Sequence, residues 1–266
     1  MATFFVSFGL ELEDKEMRLA VLTGLLASLI SGVAAYTCDD FKSTGLPCVE
    51  IPTCASNVVT GGVVNKLSNG LGSAKSVTKF RACYDESSLS FEMNNYNQYY
   101  YSSYNYGACN DNVFNSDVVE VFIAPWSVEE PTPHCYSELD VAPSNKIFQS
   151  GIYNPNLNHT GIKNYLIDCE SSGVASSTEV VLSSSAWIET LTVPWSVVDN
   201  PNGCPVSAKK SSPASKVYRF NVYRVNELSS VSTCSTSTCE YMAWSPTLSN
   251  PPAFHEPTKF GYAVLV

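Results

Sequence analysis

The chain has 266 residues, a formal net charge of −10, only 15% charged residues and ten cysteines. The acidic balance argues against a nucleic-acid partner, whose phosphates call for a basic surface. An even and high cysteine count points to an oxidising compartment, not a reducing one.

The first segment reads as a leader. Met17-Arg18 precedes the apolar run Leu19–Ile30 and then Ser31-Gly32-Val33-Ala34-Ala35. A basic residue, a short apolar core and small residues before Tyr36 describe a secretory signal peptide. The acidic stretch Glu11–Glu16 is atypical of such a signal, so Met17 is read as the true start. Residues 1–35 are therefore assigned to an upstream extension and signal peptide. The apolar run is too short to span a membrane comfortably, and a secreted, extracellular product without a membrane span is expected. All ten cysteines follow Ala35, so up to five disulfides are expected. Cys234 and Cys239 are expected to pair across a short Ser/Thr loop. The cluster Cys38, Cys48 and Cys54 must send at least one bond to a distant partner.

Residues 36–78 are Cys-, Gly- and Ser-rich, with Ile51-Pro52 and Gly61-Gly62 as punctuation, and are read as a stapled N-terminal extension. The domain is placed at residues 79–266. Leu89, Phe91 and Met93 alternate with polar residues, as a half-buried strand does. Val119, Val121 and Ile123 alternate against Val118, Glu120 and Phe122, so both faces are apolar except for one carboxylate. Further alternations run through Tyr165, Ile167 and Cys169, through Trp187, Leu191 and Val193, through Tyr218, Phe220 and Val222, and from Phe260 to Val266. Helical periodicity is not sustained anywhere after the leader. These features predict an all-β fold, a jelly-roll-like antiparallel β-sandwich with disulfides.

Four short runs carry a resemblance. They are Asp117–Pro125 (DVVEVFIAP), Trp187–Trp195 (WIETLTVPW), Arg219–Val225 (RFNVYRV), and the ending Trp244-Ser245-Pro246 with Phe254-His255-Glu256-Pro257 and Phe260-Gly261. In this order and spacing, over residues 85–266, the chain resembles the family 9 carbohydrate-binding modules. The resemblance implies a non-catalytic sandwich that binds polysaccharide such as cellulose or xylan, or their oligosaccharides, and that is often attached to glycoside hydrolases. It assigns a sugar-clamping aromatic to Phe114, where the family usually has Trp, and a hydroxyl-binding carboxylate to Glu120. The second clamping aromatic comes from the late region, and Trp244 is the choice there. At His255 the resemblance implies a structural hydrogen bond. Calcium is a further ligand of some family members; Asp39, Asp40 and Asp111 are oxygen donors in turn-like surroundings, without regular ligand spacing.

The residue chemistry suits that reading. Sugars stack their C–H faces on aromatic rings while carboxylates and amides bond the hydroxyls. A Glu inside an apolar strand needs a partner or a ligand, and Arg219 and Arg224 are the candidate partners of Glu120. The run Tyr96–Tyr106 holds six tyrosines among Asn, Gln and Ser; it is either a low-complexity loop tethered by Cys109 or a sugar-contact loop, with Tyr99 and Tyr101 as its contacts. Asn158-His159-Thr160 is a glycosylation sequon in a loop-like setting. Catalysis would need two facing carboxylates. Glu120, Glu138, Asp140 and Glu189 lie on or near strands, but their spacing singles out no pair, and an enzyme is not expected. The alternative to sugar binding is a secreted structural or adhesive protein that has lost its ligand.

Overall fold

A computed structural model describes residues 36–56, 58–97, 106–205, 216–229 and 233–266. Among the described residues thirteen strands run in chain order: β1 (Cys48–Ile51), β2 (Thr60–Leu67), β3 (Ser73–Tyr84), β4 (Ser88–Tyr96), β5 (Val118–Pro125), β6 (Cys135–Val141), β7 (Ile147–Tyr153), β8 (Lys163–Leu166), β9 (Ala175–Val181), β10 (Ala186–Pro194), β11 (Val217–Glu227), β12 (Cys239–Ala243) and β13 (Gly261–Leu265). One turn of helix, α1 (Trp195–Val198), follows β10. Among the described residues, no helix is long and apolar enough to cross a membrane.

The strands form one path, β8-β7-β6-β5-β11-β12-β2-β3-β4-β10-β9, with β13 added at β11 and β1 at β13. Every pair is antiparallel except β1 with β13. The path is a curled sheet. Its two halves are joined by the short pairing of Met242 and Ala243 with Leu67 and Lys66. Alternation explains why the halves face each other. Leu89, Phe91 and Met93 of β4 and Trp187, Leu191 and Val193 of β10 share one core with Val119, Val121 and Ile123 of β5 and Phe220 and Val222 of β11. Each such side chain contributes about 1.5–3 kcal/mol on burial, so this shared face fixes the register. The sandwich expected from the sequence is present.

Two expectations are corrected. Residues 36–78 are not appended to the sandwich but built into it. β1 pairs with β13, and β2 lies between β12 and β3, which itself starts at Ser73. Gly61 and Gly62 were misleading because they serve packing here, not a turn: a Cβ on Gly61 would overlap the Phe80 carbonyl, and one on Gly62 the Phe80 and Trp244 rings. The second correction concerns the strand through Tyr165. β8 stops at Leu166, because Asp168 accepts hydrogen bonds from Ser171 Oγ at 2.7 Å and Glu170 N at 3.4 Å and turns the chain.

Five disulfides are present: Cys38–Cys48, Cys54–Cys83, Cys109–Cys169, Cys135–Cys204 and Cys234–Cys239. The short Cys234–Cys239 loop is as expected, and Cys54 supplies the distant bond of its cluster. The N-terminal turn closes over an aromatic cluster, in which Phe41 stacks on Tyr262 at 4.1 Å between ring centroids.

Candidate functional site

Strand β5 is buried on both faces. Val119, Val121 and Ile123 enter the sandwich core, while Val118, Glu120, Phe122 and Ala124 face outward. That outer face is roofed by the connection from β12 to β13. Arg219 holds the roof down: its guanidinium donates to the carbonyls of Phe260, Pro257 and Thr258, and to that of Pro131 from the β5–β6 connection. Asn221 bonds both the carbonyl and the amide of Ser245.

Register brings acids together under this roof. Asp140 lies across from Glu120, and Glu138 across from Phe122. Oxygens of Glu120, Glu138 and Asp140 lie within 4.8 Å of one another, and none of the three residues is more than 4% exposed. Both oxygens of Asp140 and Oε2 of Glu138 are buried without a hydrogen-bond partner among the described residues. Burial, reinforced by neighbouring carboxylates, pushes Asp140 and Glu120 well above the usual carboxylate range. Burial alone raises Glu138 to about 8. The expected Glu120–arginine pair does not form. Arg219 is committed to the roof, and Arg224 points into the sandwich, donating to Val77 O, Tyr96 O and Asn226 Oδ1.

Above the carboxylates opens a cleft of about 240 Å³, lined chiefly by Phe114, Glu120, Glu138, Tyr241, Phe254 and His255. Each ring is braced from behind. Phe114, in the turn Val113–Asn115, meets Phe148 edge-on at 5.2 Å. Phe254 stacks on Tyr223 at 4.2 Å with 10° between planes, and Tyr223 Oη donates to its carbonyl. His255 is held by Tyr136, whose Oη lies 2.8 Å from Nδ1, and by Asn154, whose amide donates to Tyr136 Oη and to the His255 carbonyl. Tyr136 Oη therefore shares hydrogen bonds with both Asn154 and Nδ1, and Nε2 faces Glu138 Oε2 at 4.0 Å. Burial lowers His255 to about 4, so at neutral pH a neutral imidazole faces a largely protonated Glu138, too far for a hydrogen bond.

Of the sequence-derived candidates, Phe114 and Glu120 line one cleft. Trp244 does not. Its indole packs on Phe220 and Phe80, at 4.7 and 5.7 Å, on the core side of the sheet. Tyr99 and Tyr101 lie outside the described residues. Asn158 is half-buried in a loop, its Oδ1 accepting from Thr160 N and Oγ1. The turn carboxylates have structural duties: Asp39 pairs with Lys42, Asp40 caps Thr37, and Asp111 accepts from Gly107 N and Ala108 N. A cation would find its donors instead at Glu120, Glu138 and Asp140. Sequence reading passed over Glu138 and Asp140 as site residues, and Tyr241 and Phe254 as aromatic walls; the signal for Phe254 was its place beside His255. Two larger hollows, of about 480 and 420 Å³, lie on the outer face of β2–β4. They hold an exposed Arg81–Glu92 ion pair and no buried acid, so the smaller cleft is the chemically distinctive one.

No protein-family model matches the chain. A curated relative, an extracellular protein of Arthroderma benhamiae, is 27% identical over 169 residues, covering 59% of this chain and 71% of its own length. Among solved structures, a family 9 carbohydrate-binding module of Caldicellulosiruptor kristjanssonii, in complex with cellotriose, aligns at TM-score 0.48 and 10% identity, over 82% of this chain and 93% of its own. A candidate carbohydrate-binding protein of Bacteroides uniformis aligns at TM-score 0.57 and 13% identity, over 82% of this chain and 99% of its own. In fold, this chain is similar to the Bacteroides uniformis protein along nearly all of that protein's length.

Proposed function

We propose that this protein is a secreted, non-catalytic carbohydrate-binding sandwich that holds an oligosaccharide, or the end of a polysaccharide such as cellulose or xylan, in the cleft under Phe254. The observation that carries the reading is the meeting of Phe114 and Glu120 in one braced cleft with Tyr241 and Phe254. Rings on two sides offer stacking surfaces for the sugar's C–H faces, and the acids at the floor offer hydrogen bonds to its hydroxyls. The five disulfides, the leader and the extracellular relative support secretion. The sequon at Asn158 is proposed as an N-glycosylation site on the loop beside the cleft.

A hydrolytic reading is less well supported. Retaining and inverting mechanisms both need one carboxyl ionised and one protonated, about 5–9 Å apart. Here the three acids crowd within 4.8 Å and all are raised in the same direction, so none is set apart as the ionised partner. The test is retention of the purified protein on soluble and insoluble polysaccharides, with and without calcium. Retention weakened by Phe114→Ala and by Glu120→Ala is expected. Absence of retention on every glycan, by protein shown to be folded and oxidised, would favour the adhesive alternative.

A further inference from the structure

Resting on the carbohydrate reading, we infer that the cleft selects a sugar carrying a protonated amine, a hexosamine with a free 2-amino group or its β-linked oligomer, over the neutral sugar of the same shape. The floor is acidic beyond what hydroxyl recognition requires. Glu120 and Glu138 both line the cleft, with Asp140 directly behind them. Glu138 Oε2 is buried, lacks a hydrogen-bond partner among the described residues and belongs to a residue only 4% exposed. A neutral sugar would leave this site holding excess acid. Among the described residues the cleft lining holds no lysine or arginine, and both buried arginines on β11 are turned to other work.

An ammonium group supplies what is missing. It carries three donors and no acceptor, and the two carboxyl groups that line the cleft, Glu120 and Glu138, can both accept from it, with Asp140 adjoining them. Its charge compensates acids that burial otherwise keeps from ionising. The walls fit as well, since Phe114, Tyr241 and Phe254 present ring surfaces of the kind that attract a cation. A calcium ion fits less well. It takes six to eight oxygens, whereas beyond the acids the lining is mostly aromatic and apolar, with Asn164 as its one amide.

The experiment is calorimetric titration of the disulfide-intact protein, in chelator-containing buffer at neutral pH, with three trimers: the glucosamine trimer, its N-acetylated form and cellotriose. The glucosamine trimer is expected to bind at least about tenfold more tightly than cellotriose, as a charge-assisted contact would allow. The N-acetylated trimer, which has lost the charge, is expected to gain nothing over cellotriose. In Glu138→Gln the preference for the amine is expected to shrink to about twofold or less. Because the wild-type comparison needs no variant, a misfolded Glu138→Gln protein leaves the test intact. Equal affinity for the glucosamine trimer and cellotriose would overturn the inference and leave the carbohydrate reading standing. Failure to bind any of the three, with polysaccharide retention also absent, would overturn both. Binding of the glucosamine trimer that appears only on adding calcium would assign the acids to the metal and overturn the inference.

Discussion

The two faces of β5, β6 and β11 are both shut away from water, yet they are made differently. The face toward β3, β4 and β10 is mainly aliphatic and aromatic, and it sets the strand register. The face under the β12–β13 connection mixes Phe122, Tyr136 and Tyr223 with Glu120, Glu138 and Asp140. Hydrophobic burial accounts for most of the first, where Glu189 of β10 is itself a buried acid. Such burial cannot account for the second, where desolvated acids cost free energy that a purely structural face would avoid. The contrast assigns stability to one side of a strand and leaves the other for the proposed recognition.

The largest effect is expected on the apolar side. Phe220→Ala, which removes a ring packed between Phe80, Phe91 and Trp244, should cost about 3–5 kcal/mol, read as a lowered denaturation midpoint. A smaller loss would mean that the two faces share the stabilising role.

The acidic side should reveal itself through pH. Glu138 holds its proton to about 8 in the folded chain, against an ordinary 4.5. Between those values the folded state binds more protons than the unfolded one, so stability falls as pH rises, by up to about 1.4 kcal/mol per unit for one such group. Glu120, Asp140 and Glu189 act in the same direction. His255 opposes them: lowered to about 4 from 6.5, its contribution is present above 6.5 and lost as pH falls toward 4. The carboxyl groups therefore act alone above 6.5. The thermal midpoint should fall between pH 6.5 and 8, and Glu138→Gln should flatten that slope. A midpoint rising with pH over this range would refute the assignment.

Smaller changes sharpen the picture of the roof. Asn154→Ala removes the donor shared by Tyr136 and the His255 carbonyl and should cost about 1–3 kcal/mol. Amide exchange should then quicken in residues 252–256 more than in β4 or β10. Phe254→Ala, which empties one wall of the cleft, should weaken glycan binding about tenfold. Unchanged affinity would remove Phe254 from the site.

Much of the sandwich was legible because β4, β5, β10 and β11 carry plain two-residue alternation. Glu120 was legible for the same reason, as one acid out of place in an apolar run. Glu138 and Asp140 were not. In Ser137-Glu138-Leu139-Asp140-Val141 the acids occupy the alternate positions of an ordinary half-exposed strand, and only a roof arriving more than a hundred residues later buries them. Trp244 was misplaced because an aromatic beside a strand end suits a core or a cleft equally. Gly62 and Gly261, where a Cβ would overlap the indole, decide for the core, and their approach to Trp244 is invisible along the chain.

The pairing of the first strand with the last has a mechanical consequence. β1 and β13 run parallel, with Cys48, Val49, Glu50 and Ile51 in register with Tyr262, Ala263, Val264 and Leu265. A pull applied between Tyr36 and Val266 draws these strands along their own length in opposite directions. The rungs of that ladder then bear the load together, in shear, instead of parting one after another. The fold would resist such a pull as a clasp does. Single-molecule extension should show one high rupture force, lowered when Val264→Pro removes a rung.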